Sequence, residues 1–239
     1  MLDDAAIERI LVVTAHPDDV DFGAAGTVAT WTKAGHEVTY CVVTNGDAGG
    51  FDPDVPRGEI AGIRQAEQRA AAGEVGVSDV RFLGWPDGRV VASIELRRDI
   101  SRVIREVRPQ RVLTQSPQRN YDRIYASHPD HLAVGEATLC AVYPDARNPF
   151  AHPELAEAGH EAWTVSETWL MAAPGAVHVV DVTDVYDLKM AALRRHVSQL
   201  PGVPGELDTM LRDWLGRNAK AAGLPEGRLA EAFQILDTA

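Results

Sequence analysis

Two short stretches of this sequence concentrate the side chains that bind metal ions and move protons. Near the amino end, Ala15-His16-Pro17-Asp18-Asp19 runs into Val20-Asp21, placing one imidazole and two adjacent carboxylates side by side. Far along the chain, Ser127-His128-Pro129-Asp130-His131 sets two imidazoles around another carboxylate. Zinc accepts neutral imidazole and carboxylate ligands, and a catalytic zinc usually takes three protein ligands plus water. His16 and Asp19 can both turn toward one ion if the chain bends at Pro17, and His128 or His131 would complete two histidines and one carboxylate. Fe²⁺ suits the same set when positions stay open. Asp18 is then the acid left unliganded beside the metal, where a general base for water belongs. Alone, an HPD tripeptide reads as a turn, with Pro fixing φ and Asp capping the next helix. Two of them, each following an expected strand, favour a shared metal centre.

Such a centre needs a scaffold that brings distant segments together. Ile10–Ala15, Val38–Thr44, Val80–Leu83 and Arg111–Thr114 read as short strands, and Thr168–Ala173 and Val177–Val182 as later extended segments. Helical periodicity covers Gly23–Gly35, Glu59–Val75, Ser93–Val107 and Asp184–Leu200, with Ser93 as a start signal and Pro109 as a stop. The stretch from Tyr143 to Pro153 reads as a long loop, and the tail after Gly205 as helix. Strand and helix alternating at this spacing predict an α/β fold, Rossmann-like, with a mostly parallel sheet and helices on both faces. All of residues 1–239 read as one domain. In such sheets ligands collect beyond the carboxyl ends of the strands, where both histidine motifs fall.

On these motifs the sequence resembles the PIG-L/LmbE-like family of metal-dependent N-acetylglucosaminyl deacetylases. The secondary motifs agree: Thr44-Asn45-Gly46-Asp47-Ala48-Gly49, Arg64-Gln65-Ala66-Glu67, Leu83-Gly84-Trp85-Pro86-Asp87-Gly88, and the late stretch containing Lys189 and His196-Val197-Ser198-Gln199. The resemblance implies that His16, Asp19 and His131 hold the metal and that Asp18 is the general base. It implies that His128 stabilises the oxyanion or protonates the leaving amine, with Asp130 orienting it. Arg64 matches the substrate-gripping arginine, and Asp47 and Asp87 match sugar-contacting acids, although Asp47 stands where many members have Glu. The position two before His128, a catalytic tyrosine in some members, is Ala126 here.

The reaction so implied is hydrolysis of an N-acetyl group from an amino sugar or glycoconjugate, giving acetate and a free amine. A metal-dependent amidase acting on a larger N-acyl substrate, such as a thiol conjugate, is the nearest alternative. A non-hydrolytic Rossmann-like ligand-binding protein is the other.

Charge and composition narrow the partners. The 239 residues carry 23 Lys and Arg against 35 Asp and Glu, a formal charge of -12. Such a surface repels phosphate backbones and anionic lipid, which argues against nucleic-acid or membrane partners. The acidic start MLDDAAIERI and the lack of a long apolar run predict a cytoplasmic protein. Cys41 and Cys140 read as buried thiols. A chain of this length leaves little room for an added specificity domain, so the pocket is expected to be open or completed by a second copy in a homo-oligomer. Several residues carry plainer readings. Asp21 would support the first helix's positive end, and Glu67 would be the helical partner of Arg64. His196 would cap or pack, and Trp85 would line a pocket. The Gly46–Gly50 run lacks the spacing of a phosphate-binding loop.

Overall fold

The strand β1 (Arg9–Thr14) is buried on both faces, because its side chains point alternately into two separate apolar layers. Ile10 and Val12 belong to one layer, while Leu11 and Val13 belong to the other. That arrangement is why the segment reads as an unbroken apolar run rather than an alternating one. The computed structural model describes residues 2–200 and 205–239.

From β1 the chain passes through α1 (Asp19–Gly23) and α2 (Ala25–Lys33) into β2 (Glu37–Thr44). Then come α3 (Arg57–Glu74), β3 (Asp79–Trp85), α4 (Ile94–Val107), β4 (Arg111–Gln115) and α5 (Pro129–Cys140). The last part holds α6 (Pro153–Glu157), β5 (Glu167–Met171), β6 (His178–Asp181), α7 (Tyr186–Leu193), α8 (Glu206–Ala221) and β7 (Ala230–Asp237). The seven strands form one sheet in the order β3-β2-β1-β4-β5-β7-β6. β1 to β5 pair in parallel, whereas β7 is antiparallel to both its neighbours.

The α/β class and the mostly parallel sheet covered on both faces agree with the sequence reading. Side chains of α2, α3, α7 and α8 build one apolar layer, and those of α4 and α5 build the other. The helix α4 starts where expected, with the Ser93 side chain accepting the Leu96 N–H. Three features differ from expectation. The first helix is broken at Ala24, whose φ of -150° is not helical. The expected loop from Tyr143 to Pro153 begins inside a π-helical turn, Ala141–Asp145, and gives way at Pro153 to the short helix α6. The tail does form α8, but then returns as β7 between β5 and β6. Cys41 is buried, while Cys140 is only partly so and donates to Glu136. No helix among the described residues is long and apolar enough to cross a membrane.

Candidate active site

β1 and β4 are neighbours in the sheet, so the segments leaving their carboxyl ends meet although a hundred residues separate them. His16 follows β1 directly, and Asp19 opens α1. His128 caps α5 and His131 lies in its first turn. The rings of His16, His128 and His131 form a triangle with centroids 4.9–5.3 Å apart. Within it the Asp19 carboxylate bridges two imidazoles. Its Oδ1 lies 3.0 Å from His131 Nε2 and its Oδ2 lies 3.5 Å from His16 Nδ1.

The second nitrogens of these rings are also engaged. His16 Nε2 faces Asp87 Oδ1 at 3.0 Å and Asp130 Oδ2 at 3.2 Å. His131 donates a further hydrogen bond to the backbone of Ala126. A ligating histidine that donates its other N–H to a carboxylate or carbonyl is the usual arrangement around metals, because that bond fixes the tautomer and aims the ring. The surrounding charge fits a cation too. Burial disfavours a charged His16 ring, yet Asp130, Asp19 and Asp87 outweigh it and push its pKa up to about 12. Burial likewise opposes the Asp19 charge, but His131 and His16 hold its pKa well below the ordinary carboxylate range. Three carboxylates against His16 supply the negative charge that a divalent ion would balance, and two imidazoles with a carboxylate are a donor set for zinc or iron.

Asp18 stands beside this group in an unusual backbone state. Its φ is 98°, the left-handed region that non-glycine residues rarely occupy. Such strain persists only where neighbours over-determine it. Here the neighbours come from one face of α3. Arg64 Nη2 donates to Pro17 O at 2.5 Å and to Asp18 Oδ2 at 3.0 Å. One turn on, Gln68 Oε1 accepts the Asp18 N–H at 2.8 Å, and its Nε2 donates to Asp21 Oδ2 at 2.9 Å. Asp21 also meets His196 Nε2 at 2.8 Å, with both side chains fully buried. Burial first, and the Asp19 charge second, push the Asp18 pKa up to about 7.

Several expected roles look different in place. Asp130 does not face the His128 ring. Its carboxylate accepts the N–H groups of Gly88 and Val90 and meets His16, while His128 Nδ1 accepts the Asp130 N–H at 3.2 Å. An accepting Nδ1 leaves the proton of a neutral ring on Nε2. Burial and the nearby His16 and His131 lower the His128 pKa, so the neutral ring is the favoured form rather than an imidazolium.

Arg64 is buried at 4% exposure, with its guanidinium inside the Gly46–Gly50 loop, where it donates to Gly46 O. A Cβ at Gly46 or Gly49 would collide with that guanidinium, which gives the glycines their reason. Asp87 is buried and accepts the Ala48 N–H besides meeting His16. Asp47 accepts the Asp87 N–H and pairs with Arg57. These three side chains thus brace the loops around His16 and Asp18.

Glu67 holds Ser198 rather than Arg64. The Trp85 indole N–H bonds to Asp99. Gln68 and Glu231, the buried partner of Lys189, escaped the sequence reading. Gln68 sits four residues after Arg64 on the same helix, a spacing that could have signalled it.

The comparisons with known proteins agree with this geometry. The family model described as PIG-L, GlcNAc-PI de-N-acetylase, matches residues 11–142. A diacetylchitobiose deacetylase of Thermococcus kodakarensis is 31% identical over 82% of this chain and 71% of its own. A probable N-acetyl-alpha-D-glucosaminyl L-malate deacetylase of Bacillus anthracis is 31% identical over 86% of this chain and 87% of its own. The solved structure of N,N'-diacetylchitobiose deacetylase from Pyrococcus horikoshii, complexed with its inhibitor MPG, superposes with a TM-score of 0.90 at 28% identity, covering 98% of this chain and 85% of that one. The α/β fold and the histidine–carboxylate group define a hydrolase of the N-deacetylating type. This chain belongs to the PIG-L family of de-N-acetylases.

Proposed function

We propose that this chain acts as a single-domain zinc hydrolase that removes the acetyl group from an N-acetylated amino sugar or glycoconjugate, releasing acetate and a free amine. The observation that carries this reading is the meeting of His16, Asp19 and His131 at one place, with the Asp18 carboxylate held beside them on a strained backbone. A divalent ion bound by those three side chains would polarise the acetamide carbonyl and acidify water. Zinc is the first choice for this donor set, and Fe²⁺ is the alternative.

The chain's own residues supply the proton traffic. Asp18, not among the three ligands and beside them, is placed both to take a proton from attacking water and to return it to the departing nitrogen. The neutral His128 ring carries its proton on Nε2, the nitrogen free to donate to a developing oxyanion. Asp130 and Asp87 aim His16, and Arg64 and Gln68 aim Asp18. The cytoplasm is the proposed compartment, and a small sugar derivative rather than a nucleic acid or membrane is the proposed partner.

The test is acetate and amine release from N-acetylglucosamine and its glycosides, alongside the same sugars bearing longer N-acyl groups. Release of acetate that a chelator abolishes and added zinc or iron restores is the expected result. A preference for the longer acids would replace this reading with the broader amidase. Substoichiometric metal that His131→Ala does not change, with no acid released, would replace it with a binding protein.

A further inference from the structure

The helix that begins with Asp19 has five residues, too few to stand on its own hydrogen bonds, because nucleating a helix costs more than its first turn returns. Its position must be set from outside. The chain breaks at Ala24 and restarts as α2, so the carbonyls that end α1 and the N–H groups that open α2 lose their helical partners together. One buried ion pair fills that break. Lys189, from α7, donates its ammonium to Asp21 O at 2.8 Å, to Phe22 O at 2.7 Å and to Glu231 Oε1 at 2.7 Å. Glu231, from β7, accepts the Gly26 N–H on Oε1 at 3.0 Å and the Thr27 N–H on Oε2 at 2.7 Å. All three ammonium donors and both carboxylate oxygens are used. The signs also suit the helix ends, with a cation at the carbonyl end of α1 and an anion at the amino end of α2.

Lys189 is 0% exposed and Glu231 1% exposed, a depth at which lysine and glutamate are rarely found. Taking two charges out of water offsets most of what their attraction gains, so a buried pair adds little stability over apolar residues of the same size. What this pair does add is direction, because its bonds reach the backbone on both sides of the helix break. The element it holds is the one that presents Asp19, whose Oδ1 faces His131 and whose Oδ2 accepts the His16 N–H at 2.7 Å. A small rotation of α1 would swing that carboxylate away from both histidines. Phe22 and Glu231 also line, with Asp19 and His131, a cavity of about 710 Å³, so the clamp touches the cavity wall as well.

We propose that Lys189 and Glu231 are positioning residues for the metal centre: locked into the break between α1 and α2, they fix the depth and rotation of α1 and so aim the Asp19 carboxylate at the ion. The proposal rests on the metal-centre part of the deacetylase reading and deepens it. The second buried pair, Arg111 and Glu167, supplies the contrast. Arg111 opens β4, at the opposite end of that strand from the segment leading to His131, and its Nε donates to Glu167 Oε1 at 3.0 Å.

The experiment measures zinc affinity by competition between the zinc-loaded protein and a chromogenic chelator, with melting temperature taken before and after metal removal. The proteins are wild type, Lys189→Met, Glu231→Asp and Arg111→Lys. Both variants of the clamp should bind zinc about 10–100-fold more weakly, as when a ligand loses the partner that orients it. Charge alone predicts otherwise. Removing the Lys189 cation near the centre would tighten zinc, and Glu231→Asp, which keeps the charge and only shortens the reach, would leave it unchanged. Arg111→Lys should lower the melting temperature and keep zinc affinity within about twofold, as expected of a distant site. Unchanged or tighter zinc binding by Glu231→Asp overturns the proposal, and so does tighter binding by Lys189→Met; where Lys189→Met does not fold, Glu231→Asp decides alone. A loss in Arg111→Lys as large as in the clamp variants also overturns it, since instability by itself would then account for the effect. Acetate release separates the two readings. A wild type that binds zinc through the clamp yet releases no acetate sinks the deacetylase reading alone, whereas Glu231→Asp with normal zinc affinity and normal acetate release sinks the clamp alone.

Discussion

The two neighbourhoods of the candidate centre are built to opposite rules. Around Asp18, Arg64, Gln68, Asp21 and His196 are almost wholly buried and spend their polar groups on one another. Around Arg123 and Trp214, the cavity that reaches His131 has mostly apolar walls, Tyr125 is 88% exposed and Met210 50% exposed. A network this densely bonded, with only Asp21 Oδ1, Arg64 Nε and His196 Nδ1 lacking a partner, can hold a strained acid at a set position, which is what proton transfer demands. A loosely walled cavity can change its occupant by changing a few side chains at little cost to folding. On the proposed function, the first region would carry the chemistry and the second the choice of substrate.

Substitutions can break that division. Asp18→Asn carries the largest expected effect: kcat falls by about 10²–10⁴-fold as the base is lost. Its melting temperature should hold or rise, because Asn tolerates a left-handed backbone and needs no buried charge. A rate within tenfold of wild type would remove Asp18 from the chemistry. Gln68→Leu comes next. It leaves the Asp18 N–H and the Asp21 carboxylate short of partners, so kcat should drop roughly 10–100-fold with KM little changed, and stability should fall by about 1–3 kcal/mol. A purely structural Gln68 would lower stability and leave kcat intact.

The buried pair of His196 and Asp21 offers a pH test. Burial disfavours the His196 cation, but Asp21 outweighs it and raises the pKa above the ordinary histidine value. The stabilisation is therefore complete below about pH 6.5 and is lost as pH climbs through the raised folded-state value. The melting-temperature gap between wild type and His196→Leu should narrow from pH 6 toward alkaline pH. A gap that widens would contradict the pairing. The smallest effect belongs to the cavity: Met210→Ala should shift stability by no more than about 0.5 kcal/mol, since its side chain is half exposed. It should alter KM only for substrates extending beyond the sugar. A large loss of stability there would show that the cavity wall is structural after all.

The sequence was legible where local chemistry is dense. His16, Asp18, Asp19, His128 and His131 lie in two motifs whose residue types already suggest metal and proton chemistry, and β1 and β4 are marked by buried apolar runs. It was least legible where a side chain's role depends on what packs against it. Arg64 reads as a helix-surface residue reaching for substrate, yet two glycines let a loop close over it. Asp130 reads as the partner of its neighbour His128, but α5 begins at that point and turns the carboxylate toward His16. The strand β7 escaped notice because its run AEAFQILD carries charge and amide and follows a helix, so nothing nearby shows that β5 and β6 leave a gap for it.

From the amino-acid order alone came the α/β alternation, the metal-binding residue types and the acid beside them, because periodicity and short motifs are local properties. Only the folded chain decided which carboxylate serves which imidazole, that the arginine of α3 braces the acid at position 18, and that a helix near the carboxyl end walls the cavity beside His131. Those are relations between distant segments, set when the sheet order places β1 next to β4 and packing decides which buried polar groups come within reach of one another.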